Sequence, residues 1–367
     1  MKGTGDEQAI TAIGTVVRLG GIAAVVVVVI IVFAYVGGWL SPNRMTQNTM
    51  VAGFEDANGS HPGFRLNHAK GLCVAGWFDG NGQASALSKA AVFAMGHVPL
   101  IGRISLAGGM PFQTDQPATV RSMALRLLPS TGEEWRTGTV NIPVFVVNSA
   151  RGFYEQTIAS AEDPATGKPN PEKIQAFLAL HPETVKAMAI IKAAPISSGF
   201  ADATYYALDA FRFVNAAGDS VPVRWSFVPV EALVPENAAQ AASSNKDYLF
   251  DELIARVSAH PLQWRLLITI GRVGDPTDDA TLPWPQDRQQ VDAGMVSIDR
   301  VSSEATGKCA DVNYDPLVLP SGIEPSDDPL LSARSAVYTR SFTLRAEERG
   351  DKLPSEITPQ DVLATAK

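Results

Sequence analysis

Polarity is almost absent from one stretch near the start of the chain. Residues 19–40, with AAVVVVVIIVFAYV at their centre, carry no charge over 22 positions. About 20 apolar residues in helical form cross the hydrocarbon core of a bilayer, so the run predicts a single transmembrane helix. Tyr35 and Trp39 fall near its end, where aromatic rings favour the membrane interface. The run is longer than the apolar region of a cleaved leader, and GGWLSPNRMT has no small-x-small site, so a retained anchor is preferred to a signal peptide. Lys2 and Arg18 precede the span, and acidic residues count little in setting orientation. Residues 1–18 are therefore read as a short cytoplasmic tail. The rest is read as extracytoplasmic, on the periplasmic side of an inner membrane.

After a polar tether, 41–53, the pattern changes. Between Phe64 and Val147 the apolar clusters are short (LCVAGWF, VPLIGRISLAGG, SMALRLL, NIPVFVV) and separated by Gly, Pro and Asp. Strands at this spacing suggest a barrel or a large antiparallel sheet. Pro171 to His181 and Pro182 to Ala194 each open with proline followed by glutamate, a favourable first helical turn. Residues 204–230 return to strand character around AAGD. Asp247 to Ala259 reads as a helix with Leu249, Phe250, Leu253, Ile254 and Val257 on one face, and WRLLITIGRV reads as a strand. Residues 275–332, rich in Pro, Asp and Ser, are expected to wrap over the domain, and 348–367 to form a polar tail. The fold class is α+β.

Composition narrows the function classes. Hydrophobic residues make up 46% and charged residues 19% of the 367 positions, the balance of a globular chain with a sizeable core. A net charge of −8 and the lack of any dense Lys/Arg block exclude a nucleic-acid binder. Two cysteines, Cys73 and Cys309, are too few for a disulfide scaffold. They are read as free buried thiols, with one long-range disulfide as the alternative.

Five histidines are present. One, His68, stands in FRLNHAKGLCVAGWF with Arg65 three residues before it and Lys70 two after, on the same face if the segment is a strand. Neighbouring cations disfavour imidazolium, which leaves a neutral ring able to accept a proton. HExxH, CxxC, GxSxG and P-loop patterns are absent from the sequence, and LAGGMP reads as a turn.

Several segments together resemble the haem catalases, and among them the smaller catalase-related peroxidases. FRLNHAKG is similar to the family's arginine, distal histidine and Ala-Lys-Gly, which places Arg65 and His68. GRISLAGG matches the stretch with a propionate-pairing arginine, Arg103, and a serine that hydrogen-bonds the distal histidine, Ser105. TVNIPVF resembles the stretch around the distal asparagine, with Phe145 and Phe153 as aromatic neighbours of the haem. DPLLSARSAVYTRSF keeps the family's Arg-x-x-x-Tyr spacing in Arg334 and Tyr338. DPATGKPNPEK and VGDPTDDATLPWPQDR look like segments of the smaller peroxidases. In one respect the chain departs from the pattern. An ungapped match on Pro-Val-Phe puts the catalytic asparagine at Val140, so that role passes to Asn141 only if the loop shifts by one residue.

The resemblance implies a catalase-type antiparallel β-barrel with surrounding helices over 54–347. It implies haem b whose iron is bound axially by the Tyr338 tyrosinate, with Arg65, Arg103, Phe145, Phe153 and Arg334 around the cofactor. His68, Ser105 and Asn141 would be catalytic. The expected activity is reduction of hydrogen peroxide or small organic hydroperoxides by an organic donor, with weak catalase activity. Rearrangement of lipid hydroperoxides on the same fold, and a non-enzymatic tethered haem module, are the alternatives. A homodimer is compatible with the chain's length.

Overall fold

The computed structural model describes residues 4–37, 40, 45–235, 245–350 and 354–366. The chain divides into two compact units, residues 1–49 and 50–367. Helix α1 (Thr4–Val36) dominates the first. Its stretch Gly14–Val36 is long and apolar enough to cross a membrane. The end of the expected span (38, 39) and the start of the expected tether (41–44) lie outside the described residues. The remainder of that tether is not an extended linker. Residues Gln47–Asn58 form α2, which buries Met50, Val51 and Phe54.

Strands β1 (Gly71–Gly80), β2 (Gly96–Leu106), β3 (Arg121–Leu127) and β4 (Trp135–Val140) form a meander. Helix α3 (Ala150–Ala159), a two-residue hairpin of β5 (Glu162–Asp163) and β6 (Lys168–Pro169), α4 (Pro171–Leu180) and α5 (Pro182–Ala193) follow. Then come β7 (Tyr205–Tyr206), β8 (Phe211–Val214), β9 (Ser220–Pro229), α6 (Tyr248–Ala259), β10 (Leu262–Ile270) and β11 (Gln290–Ser302). The last elements are β12 (Ile323–Pro325), α7 (Pro329–Arg349) and α8 (Pro359–Thr365). The antiparallel order β10-β11-β1-β2-β3-β4-β7-β9 is closed by pairing of β9 with β10, so these eight strands form a barrel. Closure removes the exposed sheet edges that would otherwise invite aggregation.

Alternation along each strand separates an interior from an exterior. On β4 the residues Trp135, Thr137 and Thr139 are buried and point inward, while Arg136, Gly138 and Val140 alternate with them. The interior is filled by Leu72, Phe78, Ile104, Leu125, Trp135, Trp225, Phe227 and Trp264. Two of its three indoles find partners, Trp225 Nε1 donating to Thr137 Oγ1 at 3.0 Å and Trp264 Nε1 to the Ala203 carbonyl at 3.1 Å, while Trp135 Nε1 is buried without one. Truncating a tryptophan in such a core to alanine costs about 3–5 kcal/mol. Helix α6 packs its apolar stripe, Leu249, Phe250, Leu253, Ile254 and Val257, into the same core.

Three sequence expectations are corrected. Residues 290–302, expected within a long wrap over the domain, form the 13-residue strand β11. Its alternation is broken by register shifts against both neighbours and by Gly294 at φ 135°, so a period-2 reading misses it. The polar tail is partly helical: α7 runs to Arg349, and α8 starts with a capping box between Thr358 and Asp361. The cysteines are not free: Cys73 on β1 is bonded to Cys309 across 236 residues of sequence. Closing so long a loop stabilises the fold by about 5 kcal/mol in the chain-entropy account.

Candidate functional site

The site lies on the outer face of the barrel, and strand register builds its wall. Arg103 on β2 stands opposite Ala124 on β3, and Ala124 opposite Gly138 on β4. One row along, Ser105, Ser122 and Val140 are in register, with Tyr206 of β7 beyond them. All seven line a cavity of about 200 Å³. Between the charged and polar groups, Ala124 and Gly138 keep this wall low, so a flat group can lie against it. Helix α7 supplies further lining: Leu330, Ala333, Arg334, Val337, Tyr338 and Arg345 recur at three- and four-residue intervals and form one stripe. Its N-terminus is fixed by Asp328, which accepts from the Leu330 amide at 2.9 Å, with Pro329 at the first helical position. Met50 and Phe54 of α2, with Phe145 and Phe153, add an apolar boundary. Phe153 packs edge-on against Phe54 at 5.9 Å and lies 5.5 Å from Phe145.

His68 enters from the segment before β1, not from the strand. At φ 56° it is the only non-glycine among the described residues in the left-handed region, a conformation that costs of order 1–3 kcal/mol unless its surroundings enforce it. The surroundings do enforce it. Asn67 Oδ1 accepts from the His68 amide and from the Gly108 amide, both at 2.9 Å, and the Ala69 amide donates to Gly108 at 2.9 Å. Lys70 is fully buried and held by Asp115 at 2.7 Å, Asp247 at 2.6 Å and the carbonyls of Gln113 and Lys246. Its ammonium is thus committed to these carboxylates, which corrects the expectation that Lys70 acts electrostatically on His68. The cations that do so are Arg103, Arg334 and Arg65. Burial first, then these three, push the His68 ring down to about 3, against weak support from the Leu106 carbonyl. The ring is half-buried in the lining of the cavity, and its lowered value keeps it neutral at physiological pH.

The other predicted residues divide. Arg65, Arg103, Ser105, Phe145, Phe153, Arg334 and Tyr338 all line the cavity with His68. The expected hydrogen bond from Ser105 to His68 is absent: His68 Nδ1 is buried without a partner. Asn141 does not line the cavity. Its amide donates to the Arg121 carbonyl at 3.0 Å and its Oδ1 accepts from the Arg121 amide at 2.7 Å, so it extends the β3–β4 ladder. The cavity position belongs to Val140. The loop does not shift, and the polar group expected from Asn141 is replaced by an apolar one.

Electrostatics differ between the two ends of the cavity. At one end Arg103 Nη2 donates to Glu304 Oε2 at 2.6 Å and to the Ala69 carbonyl at 3.1 Å. Gly71 permits this crossing, since a Cβ there would lie 2.6 Å from the guanidinium. Arg65 lies 3.6 Å from Glu304 and donates to the carbonyls of Cys309 and Val312. Arg345 donates to the Ala310 carbonyl at 2.7 Å. Burial alone would raise Glu304, but Arg103 and Arg65 hold it below the usual carboxylate range. Burial and mutual repulsion lower Arg65, and they lower Arg345 to about 9. Three guanidiniums thus share one carboxylate, and the Nε atoms of Arg65 and Arg103 are buried without partners. At the other end Arg334 pairs with Asp209 and stands one helical turn before Tyr338. Burial opposes its charge, yet Asp209, Tyr338 and Asp328 hold it above its ordinary value. Burial and the neighbouring Asp209 raise Asp328 to about 7.

Sequence reading missed Arg345, Glu304 and Asp209. Arg345 had a local signal, since it stands seven residues after Tyr338 and so on the same helix face. Glu304 and Asp209 had none, because only the folded chain brings them to the arginines.

The catalase family model matches residues 58–365. The chain is 36% identical over 301 residues to a catalase-related peroxidase of Synechococcus elongatus, covering 82% of this chain and 89% of that protein. It is 31% identical over 312 residues to a catalase-related peroxidase of Mycolicibacterium paratuberculosis, covering 84% and 98%. Among solved structures, catalase A from Saccharomyces cerevisiae superposes with a TM-score of 0.71 at 18% identity, over 78% of this chain and 62% of that one. A bacterial catalase gives 0.69 at 21%, over 79% and 59%. The chain therefore spans about three-fifths of those larger catalases and nearly the whole of the smaller peroxidases, and with this barrel and these matches it belongs to the catalase family.

Proposed function

We propose that the chain is a haem-dependent peroxidase that reduces hydrogen peroxide or a small organic hydroperoxide with electrons from an organic donor. As a member of the catalase family it is an oxidoreductase acting on peroxide. The observation that carries the finer reading is the meeting of His68 and Tyr338, 270 residues apart in sequence, in the lining of one cavity.

The residues present fit a haem. Arg65, Arg103 and Arg345 exceed Glu304 by two positive charges, which two propionates would neutralise, and the unpartnered Nε atoms would gain acceptors. Tyr338, one helical turn after Arg334 in the cavity lining, would hold the iron as tyrosinate. Haem held there would supply an iron centre that passes electrons from the donor to peroxide.

The chain's own groups manage protons. Neutral His68, lining the cavity, can take a proton from one peroxide oxygen and return it to the other, which then leaves as water. Asn67 and the Lys70 cluster keep the ring at its strained angle. Arg334 stands one helical turn from Tyr338, and Asp209 holds Arg334 in place. Val140 offers no hydrogen bond to peroxide, which favours reduction by a donor over disproportionation of two peroxides. A second reading, rearrangement of a lipid hydroperoxide, draws on the apolar boundary of Met50, Phe54, Phe145 and Phe153; product analysis with a fatty-acid hydroperoxide separates the two.

We further propose that α1 anchors the chain in a membrane with residues 50–367 in an oxidising, extracytoplasmic compartment. The Cys73–Cys309 bond supports this, because such bonds persist chiefly outside the reducing cytosol. The test of function is peroxide-dependent oxidation of a one-electron donor by haem-loaded protein and by His68→Ala. A drop of about 10²–10⁴-fold with haem retained is expected; an undiminished rate removes His68 from the mechanism.

A further inference from the structure

The geometry points to a positioning role for the Cys73–Cys309 disulfide: it holds the three arginines of the cation-rich end in the arrangement that retains the haem carboxylates, and opening it loosens the cofactor. This rests on the haem reading above.

The two halves of the bond belong to the two sides of that end. Cys73 stands opposite Arg103 across the β1–β2 ladder, so it is fixed to the strand pair that carries one arginine. Cys309 belongs to the segment between β11 and β12, and this segment orients every arginine of the group. Glu304 accepts from Arg103 and faces Arg65. The carbonyls of Cys309 and Val312 accept from Arg65 at 3.1 and 3.3 Å, and the Ala310 carbonyl accepts from Arg345 at 2.7 Å. Three consecutive turns of chain therefore determine where three guanidiniums point.

Around Cys309 the backbone hydrogen bonds of the segment are local: Thr306 and Gly307 donate to Ser303, and Val312 donates to Cys309. Its non-local ties to the barrel strands begin beyond Val312, where Arg136 donates from its side chain to the Asn313 carbonyl and from its amide to the Val318 carbonyl. Gly307 lets the chain press against the barrel, since a Cβ there would lie 2.5 Å from Cys73 Sγ. The covalent tie to β1 is the disulfide. Burial first and then the neighbouring guanidiniums lower Arg65 and Arg345, and the like charges gathered here repel one another, so freeing the segment favours their separation.

A chemical route to the bond exists. Behind it opens a cleft of about 460 Å³ that reaches both cysteines and is bordered by Ser258, Ser302, Thr306 and Lys308. A small dithiol entering there attacks one sulfur as thiolate, forms a mixed disulfide and then closes on itself. Two electrons and two protons convert Cys73 and Cys309 to thiols, and the dithiol leaves as its own disulfide. The segment then loses its link to β1, and the haem carboxylates lose well-placed partners.

The experiment uses full-length protein in detergent, loaded with haem, and follows haem transfer to excess apomyoglobin before and after dithiothreitol, with thiol titration to confirm reduction. It is repeated with the dimethyl ester of haem, which has the same ring and no carboxylates, and with the Cys73→Ser/Cys309→Ser variant. Reduction is expected to speed loss of haem by about tenfold or more and to change loss of the ester by less than about twofold. Equal acceleration of both would show that the bond supports the fold and not the arginines, and would overturn the proposal. So would haem loss that is indifferent to reduction. Should the serine variant fail to fold, reduction of the folded, loaded protein decides alone. Wild-type protein that takes up no haem refutes the functional reading itself and the proposal with it, an outcome visible at the loading step.

Discussion

Helix α7 brings two arginines into one cavity, and the cavity treats them in opposite ways. Arg334 meets Asp209, Asp328 and Tyr338, which together hold its charge more firmly than water would despite burial. Arg345, eleven residues on, meets Arg65 and Arg103 with only Glu304 to share, and burial with repulsion brings it down to about 9. The helix separates them by about 16 Å. One end of the cavity is electrostatically complete as it stands. The other is short of negative charge. On the proposed haem reading, the end short of negative charge is the one that would take the carboxylates, and the other is the one that presents Tyr338.

Substitutions break the comparison in graded ways. Tyr338→Phe removes the group around which the complete end is organised, and haem affinity is expected to fall by more than the ten- to hundredfold, roughly, that loss of a supporting partner costs; a normal haem spectrum in this variant would sink the ligand assignment. Arg334→Gln leaves Asp209 buried and unpaired, and the apoprotein should lose about 3 kcal/mol of stability, as when a buried ion pair is broken from one side. Arg345→Gln should do the reverse in kind. It relieves repulsion, so denaturant unfolding of the apoprotein should shift by less than about 1 kcal/mol, while haem loss accelerates. Equal destabilisation by the two variants would show that the ends do not differ.

The neutral His68 gives a pH test. Its folded value, about 3, lies below the unfolded value of about 6.5. Between these limits the unfolded chain binds the extra proton, so folding stability falls as pH drops from about 6.5 toward 3 and is fully present above that window. The stability difference between His68→Leu and wild-type apoprotein should therefore move in favour of the variant on going from pH 7 to pH 4. A pH-independent difference would show that His68 is not held neutral by its surroundings. The smallest effect is expected from Val140→Asn, which restores a polar group to the cavity wall. The ratio of disproportionation to donor oxidation should rise, by up to about tenfold; an unchanged ratio would show that Val140 does not limit it.

How much of this was legible in the sequence follows from the same geometry. The helical wall announces itself locally, because Arg334 and Tyr338 are one turn apart and any stripe on one helix is a matter of spacing. The anchoring of α4 and α5 by proline at the first helical position was equally local. The barrel wall was half legible. FRLNHAKG and GRISLAGG named Arg65, His68, Arg103 and Ser105, but cross-strand register decides which neighbours share their face. That register puts Val140 on the cavity and ties Asn141 to Arg121. Strand β11 was hidden by bulges that interrupt its alternation, and α2 because it straddles the boundary at 53 between the expected tether and the expected domain. Glu304 was illegible and the disulfide stood only as the alternative to free thiols, since both depend on where a segment 200 and more residues from its partners comes to rest.

The central claim is most directly tested by absorption titration of the purified full-length chain with haemin, followed by a single addition of hydrogen peroxide. The account predicts saturation at one haem per chain, a Soret band of the kind given by high-spin ferric iron bound to tyrosinate, and a change in that band on adding peroxide. Failure to bind haem saturably, or a bound haem whose spectrum peroxide leaves unaltered, would contradict it.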